Sequence, residues 1–93
     1  MPTKRPRKLV RKQEYQQAVE RIRRETARGA EAVEGFEEVI RRSPELGMSL
    51  PGRTKFFGRP FRTEAGSYLG IYTFDDEKVV CFAVRTVPVG RFS

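Results

Sequence analysis

The sequence predicts an α+β domain: two N-terminal antiparallel helices packed on a three- to four-stranded antiparallel sheet. Three observations carry this. Apolar residues recur with a helical period as far as residue 42. The pair Ser43-Pro44 then stops the pattern, because the residue before a proline avoids the helical region. Beyond residue 53 the chain turns aromatic and β-branched, with turn signals between the runs. A chain of 93 residues has room for one domain with one modest core.

Residues 1–13 hold Lys4, Arg5, Arg7, Lys8, Arg11 and Lys12 and no acid, which reads as a flexible basic arm ahead of a single domain over 14–93. From Glu14 the first helix presents Tyr15, Ala18, Val19 and Ile22 on one face. Gly29 reads as its C-cap or as a kink. The second helix, from Ala30, turns Ala32, Val33, Phe36, Val39 and Ile40 inward and Glu31, Glu34, Glu37 and Glu38 outward. Acids in its early turns and Arg41-Arg42 at its end match the helix dipole. A loop over 46–52 follows, and then a strand over 53–62 that Pro60 confines to a sheet edge or a bulge. Over 68–74, Leu69, Ile71 and Thr73 face one way, and Tyr68, Gly70, Tyr72 and Phe74 the other. Residues 75–78 form the hairpin loop. The unbroken apolar run over 79–84 predicts a central strand covered on both faces.

Composition narrows the chemistry. Nineteen Lys and Arg against 12 Asp and Glu give a net charge of +7 and a basic protein. There is no histidine, which removes Ser-His-Asp and Cys-His activation, imidazole bases and His-ligated metals. The single cysteine rules out an internal disulfide and a Cys-based zinc finger, and no cofactor or metal is expected. Six residues is the longest apolar run, too short to span a membrane, and the basic N-terminus lacks the apolar core of a secretory signal. A cytoplasmic protein is the expectation.

The basic strand is the main candidate for binding. Arg53, Lys55, Arg59 and Arg62 alternate with Phe56, Phe57 and Phe61, the composition of a single-stranded nucleic-acid surface on which rings stack under bases. The competing reading makes the phenylalanines core and the cations edge protection. On a regular strand Arg59 and Arg62 lie on opposite faces unless Pro60 introduces a bulge. Lys4, Arg5, Arg7 and Lys8 on the arm are candidates for gripping phosphates. Cys81, mid-run in the most apolar strand, reads as a buried structural thiol. Asp75, Asp76 and Glu77 read as turn residues.

Several strings, in order, resemble the RelE/ParE superfamily of bacterial toxins. They are VIRRSPELGMSLPG over 39–52, with the Ser-Pro helix stop and Leu50-Pro51-Gly52, and GSYLGIYTFDDEKVVCFAVRTV over 66–87, with Tyr68, Tyr72, the acidic hairpin and the valine-rich strand. The resemblance covers about half of the chain. It implies the toxin of a type II toxin–antitoxin pair, a cytoplasmic protein that forms a hetero-oligomer with its antitoxin. One branch of the superfamily is an endoribonuclease that cleaves ribosome-bound mRNA with Lys, Arg and Tyr; the other inhibits DNA gyrase. For the nuclease branch, with RNA or the ribosome as partner, the best-matching cations are Lys55, Arg59 and Arg62, with Arg85 and Arg91 secondary. Arg53 and Phe57 would join them in binding RNA. The chain departs from the family pattern at Leu69, where an arginine is usual, at Pro88 and Val89, where basic residues are usual, and at its end, which has no tyrosine. Nor does Lys8-Leu9-Val10 read as the family's opening strand. The rival class is a non-catalytic nucleic-acid or ribosome-binding module.

Overall fold

The chain enters its sheet earlier than its charge pattern predicts. The computed structural model describes residues 7–52 and 55–87. It begins with a strand, β1 (Lys8–Arg11), followed by α1 (Gln13–Glu25), α2 (Gly29–Arg42), a single 3-10 turn (Pro44–Leu46), β2 (Met48–Ser49), β3 (Phe57–Thr63), β4 (Gly66–Phe74) and β5 (Lys78–Val87). The five strands form one sheet in the order β1-β5-β4-β3-β2. β1 runs parallel to β5, and the other neighbours are antiparallel. Two helices and a mostly antiparallel sheet make an α+β fold, as the sequence predicts.

β1 corrects the reading of 1–13 as a free arm. Lys8 N–H donates to the Glu77 carbonyl and Lys12 N–H to the Cys81 carbonyl, both at 2.9 Å. Leu9 packs against the core, while Lys8 and Val10 alternate to the other face. A charged strand is stable here because its charges occupy the outward phase and one end of the inward one. Residues 1–6 lie outside the described residues.

The helices bury the stripes that their periods predict: Tyr15, Val19 and Ile22 on α1, and Val33, Phe36 and Ile40 on α2. Two positions differ. Val39 is 36% exposed, and Glu37, expected outside, is buried at 7%. The spacing 33, 36, 37, 40 is itself a helical face, and position 37 falls inside it whatever residue stands there. Gly29 opens α2 instead of closing α1, and a Cβ there would lie 2.4 Å from the Ile22 carbonyl oxygen. A glycine therefore permits the tight corner between the helices.

β2 pairs with only the first two residues of β3, through Met48↔Gly58 and Ser49↔Phe57, so Pro60 sits on a free edge where its missing N–H costs no ladder bond. The register of β3 on β4 is continuous, without a bulge. On β4, Gly70 and Tyr72 are buried on the helix side, in the phase the sequence predicts. The Tyr72 hydroxyl donates to the Pro44 carbonyl at 2.6 Å, fastening the end of α2 to the sheet.

β5 departs from its prediction. Both helices lie on one face of the sheet, so the apolar run over 79–84 is not covered on both sides. A bulge explains the run. Tyr72 pairs with Cys81 and Ile71 with Ala83, which leaves Phe82 as the extra residue. Val79 and Cys81 point to the helices and Val84 packs against the same core, while Val80, Phe82 and Ala83, the last opposite Ile71, take the other face. Among the described residues no helix is long and apolar enough to cross a membrane.

Candidate functional site: the uncovered sheet face

Because α1 and α2 occupy one side, no helix among the described residues covers the other side of the five strands, and the Leu50 side chain lies over Gly58 there. Alternation and register assign to it Lys8 and Val10 of β1, Lys78, Val80, Phe82, Arg85 and Val87 of β5, and Leu69, Ile71 and Thr73 of β4, together with Pro60 and Arg62 of β3 and Met48 of β2. Its centre is apolar and its charges lie toward the ends. None of these strand positions is a carboxylate; the acids Glu64, Asp75, Asp76 and Glu77 sit in the hairpin turns. Met48, Pro60, Leu69 and Val87, with Arg62 and Ser67, line a hollow of about 400 Å³ at one end. Phe56 meets Phe82 edge to face at 5.1 Å, and the Lys12 ammonium lies 6.0 Å from the Phe82 ring centre.

The nuclease candidates do not converge. Arg62 projects from the bare face, in the row of Ser67 and Val87, and Arg85 stands one row along, beside Leu69. Arg85 already donates to Glu14 at 2.8 Å. Arg59 pairs with Gly70 in the phase of Phe57 and Phe61, on the helix side. With no bulge at Pro60, Arg59 and Arg62 face opposite ways. Lys55 is exposed in the turn that precedes β3. In-line phosphoryl transfer needs its cations within hydrogen-bond reach of one phosphate, and Arg59 and Arg62 project from opposite faces of the sheet.

The binding candidates divide similarly. Phe57 packs between Tyr72 at 6.0 Å and Phe74 at 5.0 Å on the helix side, so its ring is engaged within the fold and is not a stacking platform for bases. The Arg7 guanidinium lies 5.6 Å from the Phe74 ring centre and donates to the Asp75 carbonyl at 2.7 Å, tying the start of the chain to the β4–β5 turn. Lys8 is exposed on the bare face, directly opposite Lys78. Arg53, Arg91, Lys4 and Arg5 lie outside the described residues.

Two reactive-looking side chains are structural. Asp75 Oδ1 accepts the N–H groups of Glu77 at 2.8 Å and Lys78 at 2.9 Å, and these bonds hold its carboxyl below the usual range. Cys81 is fully buried, and burial pushes its thiol up to about 12. Below pH 9 the thiol is protonated in both the folded and unfolded chain. Between pH 9 and about 12 only the unfolded chain releases the proton, so stability is expected to fall with rising pH by about 1.4 kcal/mol per unit. Tyr15, also pushed up by burial, adds to the slope above pH 10. Urea midpoints between pH 8 and 10 test this, and Cys81→Ala should flatten that interval.

The residue that sequence reasoning missed is Glu37. Its carboxylate accepts two bonds from Arg11, from Nε at 3.0 Å and from Nη2 at 2.8 Å, and one from the buried Tyr15 hydroxyl at 2.8 Å. This cluster joins β1, α1 and α2, and the bond to Glu37 raises the Arg11 guanidinium further above its ordinary value. A glutamate on the 33-36-37-40 face was the available signal. Comparison of the chain with protein-family models, with curated proteins and with solved structures returns no match.

Proposed function

We propose that the chain is the toxin of a bacterial type II toxin–antitoxin pair of the RelE/ParE kind, acting in the cytoplasm by binding its target and not by cutting RNA. The single observation that carries the reading is the bare sheet face, which is apolar at its centre, cationic at its ends and free of carboxylates along its strands. The strand Lys8–Arg11 beside the last strand adds support, since it stands where the resemblance expects an opening strand. The opposite facing of Arg59 and Arg62 favours the branch that inhibits gyrase over the branch that cleaves mRNA.

Inducing the full chain in a bacterial host without a partner tests this. Growth should arrest, with signs of DNA damage and with full-length transcripts. Unchanged growth at high expression would overturn the toxin reading, and site-specific cleavage of ribosome-bound mRNA would overturn the binding mode. Arg59→Ala should leave the arrest intact, because its side chain lies on the helix side of the sheet, away from the face of Arg62 and Arg85.

A further inference from the structure

We propose that a hollow between the C-terminal half of α1 and the sheet binds a guanine base. The base stacks on Tyr68, and Arg21 and Glu25 read its edge. Four rings of the core lead to this place. Tyr15, Phe36, Phe61 and Tyr68 follow one another at 6.5, 4.9 and 5.5 Å between ring centres, each pair inclined by 34° or less. The row stops at Tyr68, whose neighbour on β5 is the small, exposed Thr86. Here α1 contributes the equally small Ala18, and a hollow of about 200 Å³ opens against Ile22 and Val84. Drug-sized ligands need roughly 300–1,000 Å³, so this space fits a single flat ring system. Phe61 stacks on Tyr68 from the β3 side, which leaves the β5 side of the ring for a fifth ring.

The rim selects which ring. Arg21 and Glu25 line the hollow one helical turn apart, on the same side of α1. Among the described residues neither has an ion-pair or hydrogen-bond partner, and the Tyr68 and Thr86 hydroxyls have none either. The larger hollow beside β1, about 490 Å³, differs in this respect: its Arg11 pairs with Glu37, and its Arg41 with Glu38. An unpaired guanidinium beside an unpaired carboxylate matches an edge that carries an acceptor next to donors. Guanine is the base that offers a carboxylate two donors, N1–H and the N2 amine, with O6 adjacent as the acceptor for an arginine. Such charge-assisted bonds are about twice as strong as neutral ones. The charges of Arg21 and Glu25 cancel, so the base and not its phosphate is what the rim recognises. The hollow lies on the helix side, away from the face of Arg62, so a failed growth assay would leave it standing.

The test titrates the full chain with the 5′-monophosphates of guanosine, inosine, adenosine and uridine and follows backbone amide shifts. The guanosine nucleotide should give saturable shifts centred on residues 18–25, 68 and 84–86. It should bind about tenfold more tightly than the adenosine and uridine nucleotides, and inosine, which lacks the N2 amine, should fall between. Tyr68→Leu and Glu25→Gln should each weaken guanosine binding by about tenfold, whereas Tyr68→Phe keeps the ring and should stay within about threefold. Glu25 is exposed and unpaired, so its variant should fold even if Tyr68→Leu does not, and melting curves check each protein. A uridine pentanucleotide with guanosine at its centre separates the two sources of the base. Tighter binding than the mononucleotide assigns an unpaired guanine in a single strand, and equal binding assigns the free nucleotide; both support the site. No saturable shift, equal affinity for all four nucleotides, shifts centred away from α1 and Tyr68, or unchanged guanosine binding in Glu25→Gln would overturn the proposal.

Discussion

Replacing Phe36 with alanine is expected to lower stability by about 3–5 kcal/mol. A 93-residue domain has roughly 5–14 kcal/mol in total, so this one change removes a large share of it. The ring is only 4% exposed and touches all the layers at once. It lies 4.9 Å from Phe61 of β3 and 6.5 Å from Tyr15 of α1, centre to centre. Beneath it stands Gly70 of β4, where a Cβ would fall 2.1 Å from Phe36 Cζ. α2 can approach the sheet because position 70 has no side chain. Gly70→Ala should therefore cost about 1–3 kcal/mol by overpacking. In a Phe36→Leu background the same substitution should cost less, since the shorter side chain vacates the contact. Urea denaturation of the four proteins in this double-mutant cycle measures the coupling. Strict additivity would mean that the ring does not rest on Gly70.

Glu37→Ala has the next largest expected effect, about 2–3 kcal/mol. The buried Tyr15 hydroxyl would lose its acceptor, and an orphaned buried donor costs about 1–3 kcal/mol. Arg11 would lose both of its bonds to the carboxylate, but its side chain is 43% exposed and can turn to water, so that part is small. For a domain of this size the melting temperature should drop by roughly 10–20 °C. Glu37→Gln keeps the acceptor for Tyr15 and should cost less than half as much. If the alanine and glutamine variants melt together, the cluster is not holding β1 and α1 to α2.

Local signals were enough for most of the architecture. The helical stripes, the stop at Ser43-Pro44, the phase of Leu69 and Ile71 against Tyr72, and the turn at Asp75 are each written within a few neighbouring residues. What was not legible depends on distant pairing. The strand over Lys8–Arg11 exists because β5, nearly 70 residues later, offers it a ladder. Val84 packs on the core and Arg85 faces away from it because a bulge at Phe82 shifts the phase of β5, and a bulge in an all-apolar run leaves no mark in the sequence. Glu37 lies inside because Arg11 and Tyr15 meet it there. The candidate site was partly legible for the same reason. Alternation alone separates Arg59 from Arg62, but that the face of Arg62 is bare follows only from where both helices pack.

The central claim is that function resides on that bare face. The most direct measurement is growth after induction of two charge-reversed proteins, one carrying Arg62→Glu with Lys78→Glu on the bare face, the other Glu31→Lys with Glu34→Lys on α2. All four positions are exposed, so both proteins should fold, and their melting curves verify it. The first protein should lose growth arrest and the second should keep it. Arrest that survives reversal on the sheet and disappears on reversal of α2 would contradict it.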